Sequence, residues 1–374
     1  MRVGKKVIAA GHICIDITPA FPARKVQSVS DILAPGKLIE VGAADAHTGG
    51  SVANTGLAMK IFGADVSLMG KIGDDAFGSM IRSVLDKYDA SRDMIVSETE
   101  SSSYSVVIAI PGIDRMFLHN PGANNTFTAD DISSQKLAEA ALFHFGYPPL
   151  MRSMYEHDGA ELERLMKRAH DAGCATSLDL AAVDEHSPAG QADWEKILRR
   201  TLPYVDFFVP SFEELCFMLD RMNFRRLIKE ADGRDITDVL DVQRDVVPLA
   251  EKCLEYGAKT VLVKCGAPGM YLRTADESTL KQISARLSLD AAAWADLSRF
   301  EKSYVPDRIL SGTGAGDTAI AAYLTAILDG YGPDDALHLA AAEGASSITE
   351  YDALSGLLSF EDALAKIRGG WQKA

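Results

Sequence analysis

A glycine-rich stretch late in the chain, residues 311–318, most strongly constrains what the chain can fold into. It reads Ser-Gly-Thr-Gly-Ala-Gly-Asp-Thr and runs directly into residues 319–324, which favour a helix with one apolar face. Glycines let a backbone approach a ligand closely, and the first amides of a helix have no partner within it. The stretch therefore predicts an anion-binding turn at the positive end of a helix.

Asp317 gives this turn a second property. A carboxylate repels a bound phosphate, so its presence is understandable if it accepts a proton. Donors for a developing negative charge beside a carboxylate base fit phosphoryl transfer to a hydroxyl. A simple glycine-rich turn capped by an aspartate is the alternative, and the stretch alone does not decide between the two.

The spacing of the glycines excludes two familiar phosphate-binding loops. No Gly-x-x-x-x-Gly-Lys-[Ser/Thr] occurs in the chain, so there is no Walker A loop. Gly312, Gly314 and Gly316 do not follow the Gly-x-Gly-x-x-Gly pattern, and they come late in the chain instead of after the first strand.

Composition predicts a soluble globular protein of 374 residues, with 47% apolar and 24% charged residues. This length fits one large or two modest domains, and we expect a single domain over residues 1–374. No apolar run is long enough to span a membrane, and residues 1–10 indicate a first strand, not a signal peptide. The formal net charge of −15 argues against nucleic-acid and anionic-membrane partners. Five scattered cysteines fit reduced thiols in the cytoplasm, and eight histidines show no metal-ligand spacing.

Regular alternation of helices and short apolar runs begins near residue 128. Helical stretches are predicted near residues 130–140, 159–172, 190–200 and 244–256, and the apolar runs are 141–145, 175–180, 205–209 and 260–263. This pattern predicts an α/β fold, with a doubly wound, mainly parallel sheet and helices on both faces.

A second β-rich region precedes this alternation. Residues 17–48 contain short alternating runs such as 37–41, and residues 104–110 and 116–118 form a hairpin. We expect the two segments to pair into one accessory sheet. Residues 221–243 and 275–303 are charged and weakly patterned, and they look like surface insertions without an assignable role.

Several motifs occur in a fixed order over some 300 residues. They are Gly11 and Asp16; Gly49-Gly50 with Asn54; Gly-Lys-Ile-Gly-Asp-Asp-Ala-Phe-Gly at 70–78; Pro-Gly-Ala-Asn at 121–124; Asp206 to Glu214; Lys-Cys-Gly-Ala-Pro-Gly at 264–269; and Gly-Ala-Gly-Asp at 314–317. In this order they resemble the ribokinase-like (PfkB) family of carbohydrate kinases, and the resemblance covers nearly the whole chain.

The resemblance implies a role for each matching residue. Asp317 resembles the catalytic base, and the residues beside it resemble the anion hole: Gly314, Ala315 and Gly316. Substrate hydroxyls are expected at Asp16, Gly50 and Asn54. ATP is expected at Lys264, Gly266, Gly269 and Ser211, and Glu214 resembles the residue that orients Mg²⁺ through water. The accessory sheet, over about 17–48 and 100–120, resembles a lid that closes over the sugar and often forms a homodimer.

Four of these residues have simpler explanations. Asp16 could end a strand, Asn54 could cap the helix after Gly50, Glu214 could be an ordinary first-turn glutamate, and Lys264 could lie on the surface. Two points favour the binding roles over these explanations. A carboxylate and an amide are suitable partners for sugar hydroxyls, and a glycine at position 50 leaves room for a sugar. Lys264 also directly follows an apolar strand, where ligand sites of α/β proteins lie.

Two positions depart from the family pattern. Ser211 stands where the family usually has asparagine, which shortens the polar link to the magnesium shell. Ser311 stands where many members have an aspartate that helps to hold a monovalent cation. A hydroxyl attracts a cation much less than a carboxylate does, so potassium is expected to activate this protein less than it activates relatives with that aspartate.

The sequence therefore predicts an ATP-dependent kinase that phosphorylates a hydroxyl of a sugar or a related polyol or nucleoside. A catalytically silent sugar- or nucleotide-sensing protein on the same fold is the alternative. A nucleotide-dependent dehydrogenase would need a glycine fingerprint after the first strand, and this chain does not have one there. We expect an uncharged acceptor, because the segments that should line its site hold few basic side chains: His12, His47, Arg115 and His119. Arg115 and Arg152 are the residues that could overturn this expectation.

Overall fold

The computed structural model describes residues 5–23, 28–113 and 116–374. The strands of these residues are β1 Lys6–Gly11, β2 Cys14–Pro19, β3 Ala44–Gly49, β4 Asp65–Met69, β5 Lys71–Gly73, β6 Ile95–Ser97, β7 Tyr104–Ile108, β8 Met116–Asn120, β9 Leu142–Gly146, β10 Ala175–Leu178, β11 Phe207–Phe208, β12 Thr260–Lys264, β13 Gly269–Thr274 and β14 Ser298–Lys302. The α-helices are α1 Ser51–Ile61, α2 Ala76–Asp86, α3 Ser134–Glu139, α4 Arg152–Tyr155, α5 Ala160–Asp171, α6 Pro188–Gln191, α7 Trp194–Thr201, α8 Phe212–Leu219, α9 Arg221–Ala231, α10 Val247–Glu255, α11 Glu277–Leu280, α12 Ala291–Trp294, α13 Ala315–Leu328, α14 Pro333–Ser347 and α15 Phe360–Arg368.

Eight strands form the main sheet, in the order β14-β13-β12-β11-β10-β9-β1-β4. All neighbours from β12 to β4 are parallel, whereas β13 runs antiparallel to both β12 and β14. The predicted doubly wound, mainly parallel sheet is therefore confirmed.

Helices cover both faces of this sheet because its inner strands are apolar on both sides. In β1, Val7 and Ala9 belong to one buried cluster, and Ile8 and Ala10 belong to the other. Helices α1, α13 and α14 contribute to the first cluster, and α5, α7 and α10 contribute to the second. Side chains that alternate along a strand point to opposite faces, so an unbroken apolar run is what a buried central strand requires.

A small four-stranded sheet, in the order β3-β2-β7-β8, stands beside the main one. Strand β2 follows β1 after only His12 and Ile13, and it pairs with β7 in parallel. The Asn124 amide holds this junction, since it accepts from Ile13 N at 3.2 Å and donates to Ile13 O at 2.9 Å. The predicted pairing of the two β-rich segments is confirmed.

Three details of the sequence prediction are wrong. Residues 37–41 form no strand, and Leu38 is fully exposed, because the alternating run has no partner strand there. Residues 275–303 contain β14, which adds an edge strand to the main sheet. Residues 221–243 begin with α9, which buries Leu227 and Ala231. In both supposed insertions, charged outward-facing residues dilute the apolar pattern.

The carboxyl ends of β9 and β12 lie near the start of α13, since Tyr147 after β9 contacts Asp317 and Lys264 at the end of β12 lies near Gly316. In open α/β sheets, ligand sites lie outside the carboxyl ends of the strands. Within the described residues, no helix has both the length and the apolar character needed to cross a membrane.

Candidate active site

The glycine-rich stretch forms the start of α13, as its sequence predicts. Gly314 is the N-cap residue and has a φ of 79°, and a Cβ there would lie 2.3 Å from the Ala353 Cβ. Both facts require glycine. The first helical hydrogen bond runs from Thr318 N to Gly314 O at 2.9 Å, so the amides of residues 315–317 precede it. These amides have no acceptor within the helix and can donate to an anion.

Asp317 lies in this first turn and is only 3% exposed. Its Oδ2 accepts from Asn54 Nδ2 at 3.0 Å, and its Oδ1 accepts from Thr55 Oγ1 at 3.2 Å. The Tyr147 hydroxyl lies 2.9 Å from Oδ1 and 2.8 Å from Oδ2. The carboxylate is thus held in one orientation by donors from α1 and from the end of β9.

Helix α1 brings Asn54 to Asp317. It begins after Gly50, which has a φ of 86°, and a Cβ at Gly50 would lie 2.6 Å from His12 Nδ1. Glycine is thus required at position 50 by backbone conformation and by His12, and its role in binding a sugar stays a prediction. Asn54 lies inside α1 and does not cap it, which removes the capping explanation.

Asp16 lies in the middle of β2, opposite His47, and does not end the strand. Its Oδ1 accepts from Cys14 Sγ at 3.3 Å. Asp16 and Asn54 both line a cavity of about 250 Å³. Asp16 also lines a larger cavity, of about 580 Å³, between the small sheet and residues 309–313. The structure therefore brings two of the predicted substrate-binding side chains to one cavity beside Asp317.

Lys264 ends β12 and points at the anion-binding turn, with its Nζ 3.6 Å from where a Cβ at Gly316 would lie. It also donates to Asp179 Oδ1 at 2.8 Å. Burial opposes the charged form of this amine, but the carboxylates of Asp179 and Glu214 outweigh it and raise the pKa of Lys264. Lys264 is therefore a largely buried cation at the turn and not a surface lysine.

Ser211 and Glu214 form a capping box at the start of α8. Glu214 N donates to Ser211 Oγ at 3.3 Å, and Ser211 N donates to Glu214 Oε2 at 2.8 Å. Ser211 also pairs with Lys264 in an isolated parallel bridge. Glu214 is thus a first-turn helix glutamate that lies next to the predicted nucleotide side of the site.

The turn between β12 and β13 contains Gly266 and Gly269. Both have positive φ values, 66° and 130°, and a Cβ at Gly269 would lie 2.1 Å from Glu301 O. Cys265 N donates to Gly269 O at 2.8 Å and closes the turn. Packing against β14 accounts for Gly269 without any ligand, so its nucleotide-binding role stays a prediction.

Sequence reasoning missed three residues that contact the centre: Tyr147, Thr55 and Asp179. Tyr147 and Asp179 directly follow β9 and β10, and a polar residue at the carboxyl end of a predicted strand was the available signal. Asp179 Oδ2 is buried without a hydrogen-bond partner among the described residues. Burial, together with the charges of Glu214 and Asp317, raises the pKa of Asp179 against the opposing effect of Lys264.

Two further positions from the sequence prediction form no hydrogen bond with Asp317, and a third lies outside the described residues. Ser311 Oγ accepts from Thr313 N at 3.2 Å. Arg152 is half-exposed and lies 3.9 Å from Glu156 Oε1, away from both cavities. Arg115 lies outside the described residues.

Known proteins share both the sequence pattern and the fold. A sequence profile described as pfkB family carbohydrate kinase matches residues 6–359. An uncharacterized sugar kinase of Archaeoglobus fulgidus is 22% identical, covering 80% of this chain and 98% of its own. A fructokinase of Solanum tuberosum is 24% identical, covering 97% and 96%. The structure of Arabidopsis thaliana ribokinase complexed with ribose and ATP aligns with a TM-score of 0.70 at 18% identity, over 97% and 98% of the two chains.

The profile match extends from the first residue of β1 to the residue before α15, and it includes every candidate site residue described above. The chain belongs to the pfkB family of carbohydrate kinases.

Proposed function

We propose that this protein transfers the γ-phosphate of ATP to a hydroxyl of a sugar or a related polyol or nucleoside, with Asp317 as the general base. The observation that carries the proposal is a buried carboxylate in the first turn of α13, beside amides that lack a helical acceptor. A base and an anion-binding turn within one helical turn serve the two ends of a phosphoryl transfer. Relatives named fructokinase and ribokinase support a sugar as the acceptor.

In the proposed reaction, Asp317 takes the proton of the accepting hydroxyl. The hydroxyl oxygen forms a bond to the γ-phosphorus, the bond from that phosphorus to the bridging oxygen breaks, and ADP leaves with the electron pair. Asn54 and Thr55 orient the carboxylate through their hydrogen bonds at 3.0 and 3.2 Å. The base is thereby fixed before the acceptor binds, which lowers the cost of reaching a reactive geometry.

The negative charge of the transferring group would lie over the start of α13. The amides of residues 315–317 and the ammonium group of Lys264 supply positive potential from two directions. Lys264 is well placed for this role because it is buried, and a cation in a low-dielectric site acts more strongly than one in water.

Mg²⁺, which fits the acidic residues at this edge, would supply charge neutralisation of the ATP phosphates. Glu214 and Asp179 would hold it, and the observation that supports the fit is the buried Oδ2 of Asp179, which has no partner among the described residues. Magnesium in kinases is commonly bound through one or two carboxylates together with phosphates and waters, so a larger set of protein ligands is not required.

Replacing Asp317 by asparagine tests the base. Asp317→Asn keeps the shape of the residue but cannot accept a proton, so we expect kcat to fall by at least ~10² while ATP still binds. Asp335→Asn is the matched control, because Asp335 is also in the first turn of a helix, α14, and is exposed. Near-normal turnover by Asp317→Asn would rule out Asp317 as the base.

The same assay separates the kinase from the sensing alternative. ATP consumption is measured against sugars, sugar acids, sugar phosphates and nucleosides, and binding of each compound is measured in parallel by calorimetry. A kinase consumes ATP with at least one compound that binds. Binding without consumption by the wild-type protein, and without any change in Asp317→Asn, would favour a silent sensor.

The larger cavity supports an uncharged acceptor. Its polar lining includes Asp16, Asp45 and His47, and its apolar lining includes Val107 and Leu310. Among the described residues, neither a lysine nor an arginine lines it. A phosphate on the acceptor would need forked donors such as arginine and would be repelled by the two aspartates.

Competition between neutral acceptors and their monophosphates checks this charge preference. We expect the neutral compound to have the higher kcat/KM, by at least tenfold, since a phosphate would have to be desolvated without a cation to receive it. A higher kcat/KM for the phosphorylated compound that is lost in Arg115→Ala or Arg152→Ala would show that one of these arginines reaches the acceptor.

A further inference from the structure

The residue that contacts Asp317 most closely is Tyr147, which the proposed reaction does not use. Its hydroxyl lies within 2.9 Å of both carboxylate oxygens, whereas Asn54 and Thr55 each contact one oxygen. Burial and the charge of Asp317 raise the pKa of Tyr147 well above its ordinary value, so the phenol keeps its proton and donates a hydrogen bond to Asp317. A hydroxyl that donates to the base is also what an accepting substrate must present.

The phenol lies across the carboxylate. A carboxylate has about four lone-pair sites, and Asn54, Thr55 and Tyr147 direct three hydrogens at them, with the phenol oxygen within 2.9 Å of both carboxylate oxygens. An accepting hydroxyl that approaches between the two oxygens can therefore reach Asp317 only when the phenol leaves. Asn54 and Thr55 are consecutive residues of α1, whose neighbours Val52, Ala53 and Leu57 are fully packed.

Tyr147 is the donor that can leave. It lies in the connection after β9, where it has a φ of 66° and a ψ of 40°, an unfavourable backbone conformation for a bulky side chain. Its side chain is only partly buried, in contrast to that of Thr55. A change of side-chain torsion would release the phenol without disturbing either α1 or the main sheet.

We propose that Tyr147 holds the place of the accepting hydroxyl on Asp317, and that the acceptor binds by displacing the phenol. This inference rests on the proposed function of Asp317. Until the acceptor arrives, the phenol blocks a water molecule from donating to the base. Tyr147 is thus a positioning residue that disfavours hydrolysis of ATP. In that side reaction a water oxygen would bond to the γ-phosphorus, Asp317 would take the water proton and ADP would leave.

A second observation points to the same displacement. Both ring nitrogens of His12 are buried and lack a hydrogen-bond partner among the described residues. Its ring centroid lies 6.3 Å from that of Tyr147 and 5.1 Å from that of His119. Burial lowers the pKa of His12 to about 3, so the ring is neutral and offers one donor and one acceptor. Buried polar atoms without partners call for an explanation, and withdrawal of the phenol would open space beside this ring for a second hydroxyl of the acceptor.

The test is Tyr147→Phe, which keeps the ring and removes only the hydroxyl. The readout is the rate of ATP hydrolysis without acceptor divided by the rate of acceptor phosphorylation. We expect this ratio to rise at least about tenfold, because water can then donate to Asp317. We also expect the acceptor to bind about three- to tenfold more tightly by calorimetry, since it no longer competes with the phenol. Tyr155→Phe is the control, because Tyr155 lies in α4 of the same segment and has no contact with Asp317.

An unchanged or lower ratio together with unchanged acceptor affinity would overturn the inference. A large loss of kcat without a rise in hydrolysis would show instead that Tyr147 stays on Asp317 during the reaction. A thermal unfolding measurement on Tyr147→Phe checks that the variant is folded before its rates are compared with those of the wild-type protein. If wild-type protein phosphorylates no acceptor but Tyr147→Phe still binds one more tightly, the proposed function fails while the displacement stands. His12→Leu should weaken acceptor binding and leave ATP binding unchanged.

Discussion

Two buried lysine–aspartate pairs lie at the two ends of the same strand, β12. At the amino end, Lys259 donates to Asp206 Oδ1, and the other oxygen of Asp206 accepts from Thr176 N at 2.9 Å. At the carboxyl end, Lys264 donates to Asp179 Oδ1, while Asp179 Oδ2 has no partner among the described residues.

The difference shows how one sheet separates stability from chemistry. The Asp206 pair is fully bonded, and it joins the amino-terminal ends of β10, β11 and β12. The Asp179 pair is incomplete, and the charges of Glu214 and Asp317 act on it. A buried pair with an unused oxygen is suited to a ligand, whereas a fully bonded pair is suited to holding strands together.

The largest effect is expected when the fully bonded pair is broken. Lys259→Met leaves the carboxylate of Asp206 buried without its cation, and the free energy of unfolding should fall by about 3–5 kcal/mol. Urea unfolding measures this fall, and kcat per folded molecule should stay within a few-fold. Adding Asp206→Asn to Lys259→Met should recover part of the loss. A fall below about 1 kcal/mol would mean that the pair does not hold the strands.

The matched change at the other end should reverse the pattern. Lys264→Met removes the cation that faces the anion-binding turn, so kcat should fall about 10²-fold. Stability should fall by only about 1–2 kcal/mol, because burial already raises the pKa of Asp179, which can take up a proton when its lysine is gone. The comparison fails if Lys264→Met and Lys259→Met lose activity and stability in the same proportion.

Another buried carboxyl group, Glu343, sharpens the comparison because no lysine or arginine in the described part of the chain pairs with it. Its Oε2 accepts from Leu358 N at 3.0 Å, and burial raises its pKa to about 8. The folded state therefore keeps a proton that the unfolded state has already lost, and stability falls as the pH rises from about 4.5 to about 8. The slope can reach about 1.4 kcal/mol per pH unit.

Glu343→Gln should remove this slope, since an amide does not titrate in that range. Urea unfolding at several pH values measures it, and Glu361→Gln, an exposed change in the first turn of α15, is the control. Equal pH slopes for wild-type protein and Glu343→Gln would mean that Glu343 is ionised in the folded state at neutral pH.

The sequence predicts those features that depend on local pattern. The start of α13 at Ala315 follows from glycines and the apolar face after them, and the main-sheet strands follow from apolar runs at regular spacing. The alternating run at 37–41 misled because alternation indicates a strand only where a neighbouring strand exists to pair with it. Strand β14 was missed for the opposite reason, since an exposed edge strand has a weak apolar pattern.

The residue types at the candidate site could be predicted from the sequence, but the contacts between them could not. Asp317 and Lys264 stand out because each follows a local pattern that constrains the backbone. The contact of Asp317 with Tyr147, 170 residues earlier, depends on how β9 and α13 are placed in three dimensions. No spacing rule connects such residues. The sequence also does not distinguish a tyrosine that only packs from one that donates a hydrogen bond to a carboxylate.

The short junction between β1 and β2 has a consequence for how the two sheets could be inherited or exchanged. Because β2 follows the first core strand after two residues, the small sheet is not a separate insertion into the domain that contains the main sheet. Its other half, β7 and β8, comes from a separate stretch, and Asn124 at the end of that stretch fastens the junction. A graft of acceptor specificity from a relative would therefore have to exchange residues 12–49 and 101–124 together, because either stretch alone would meet an unmatched partner strand.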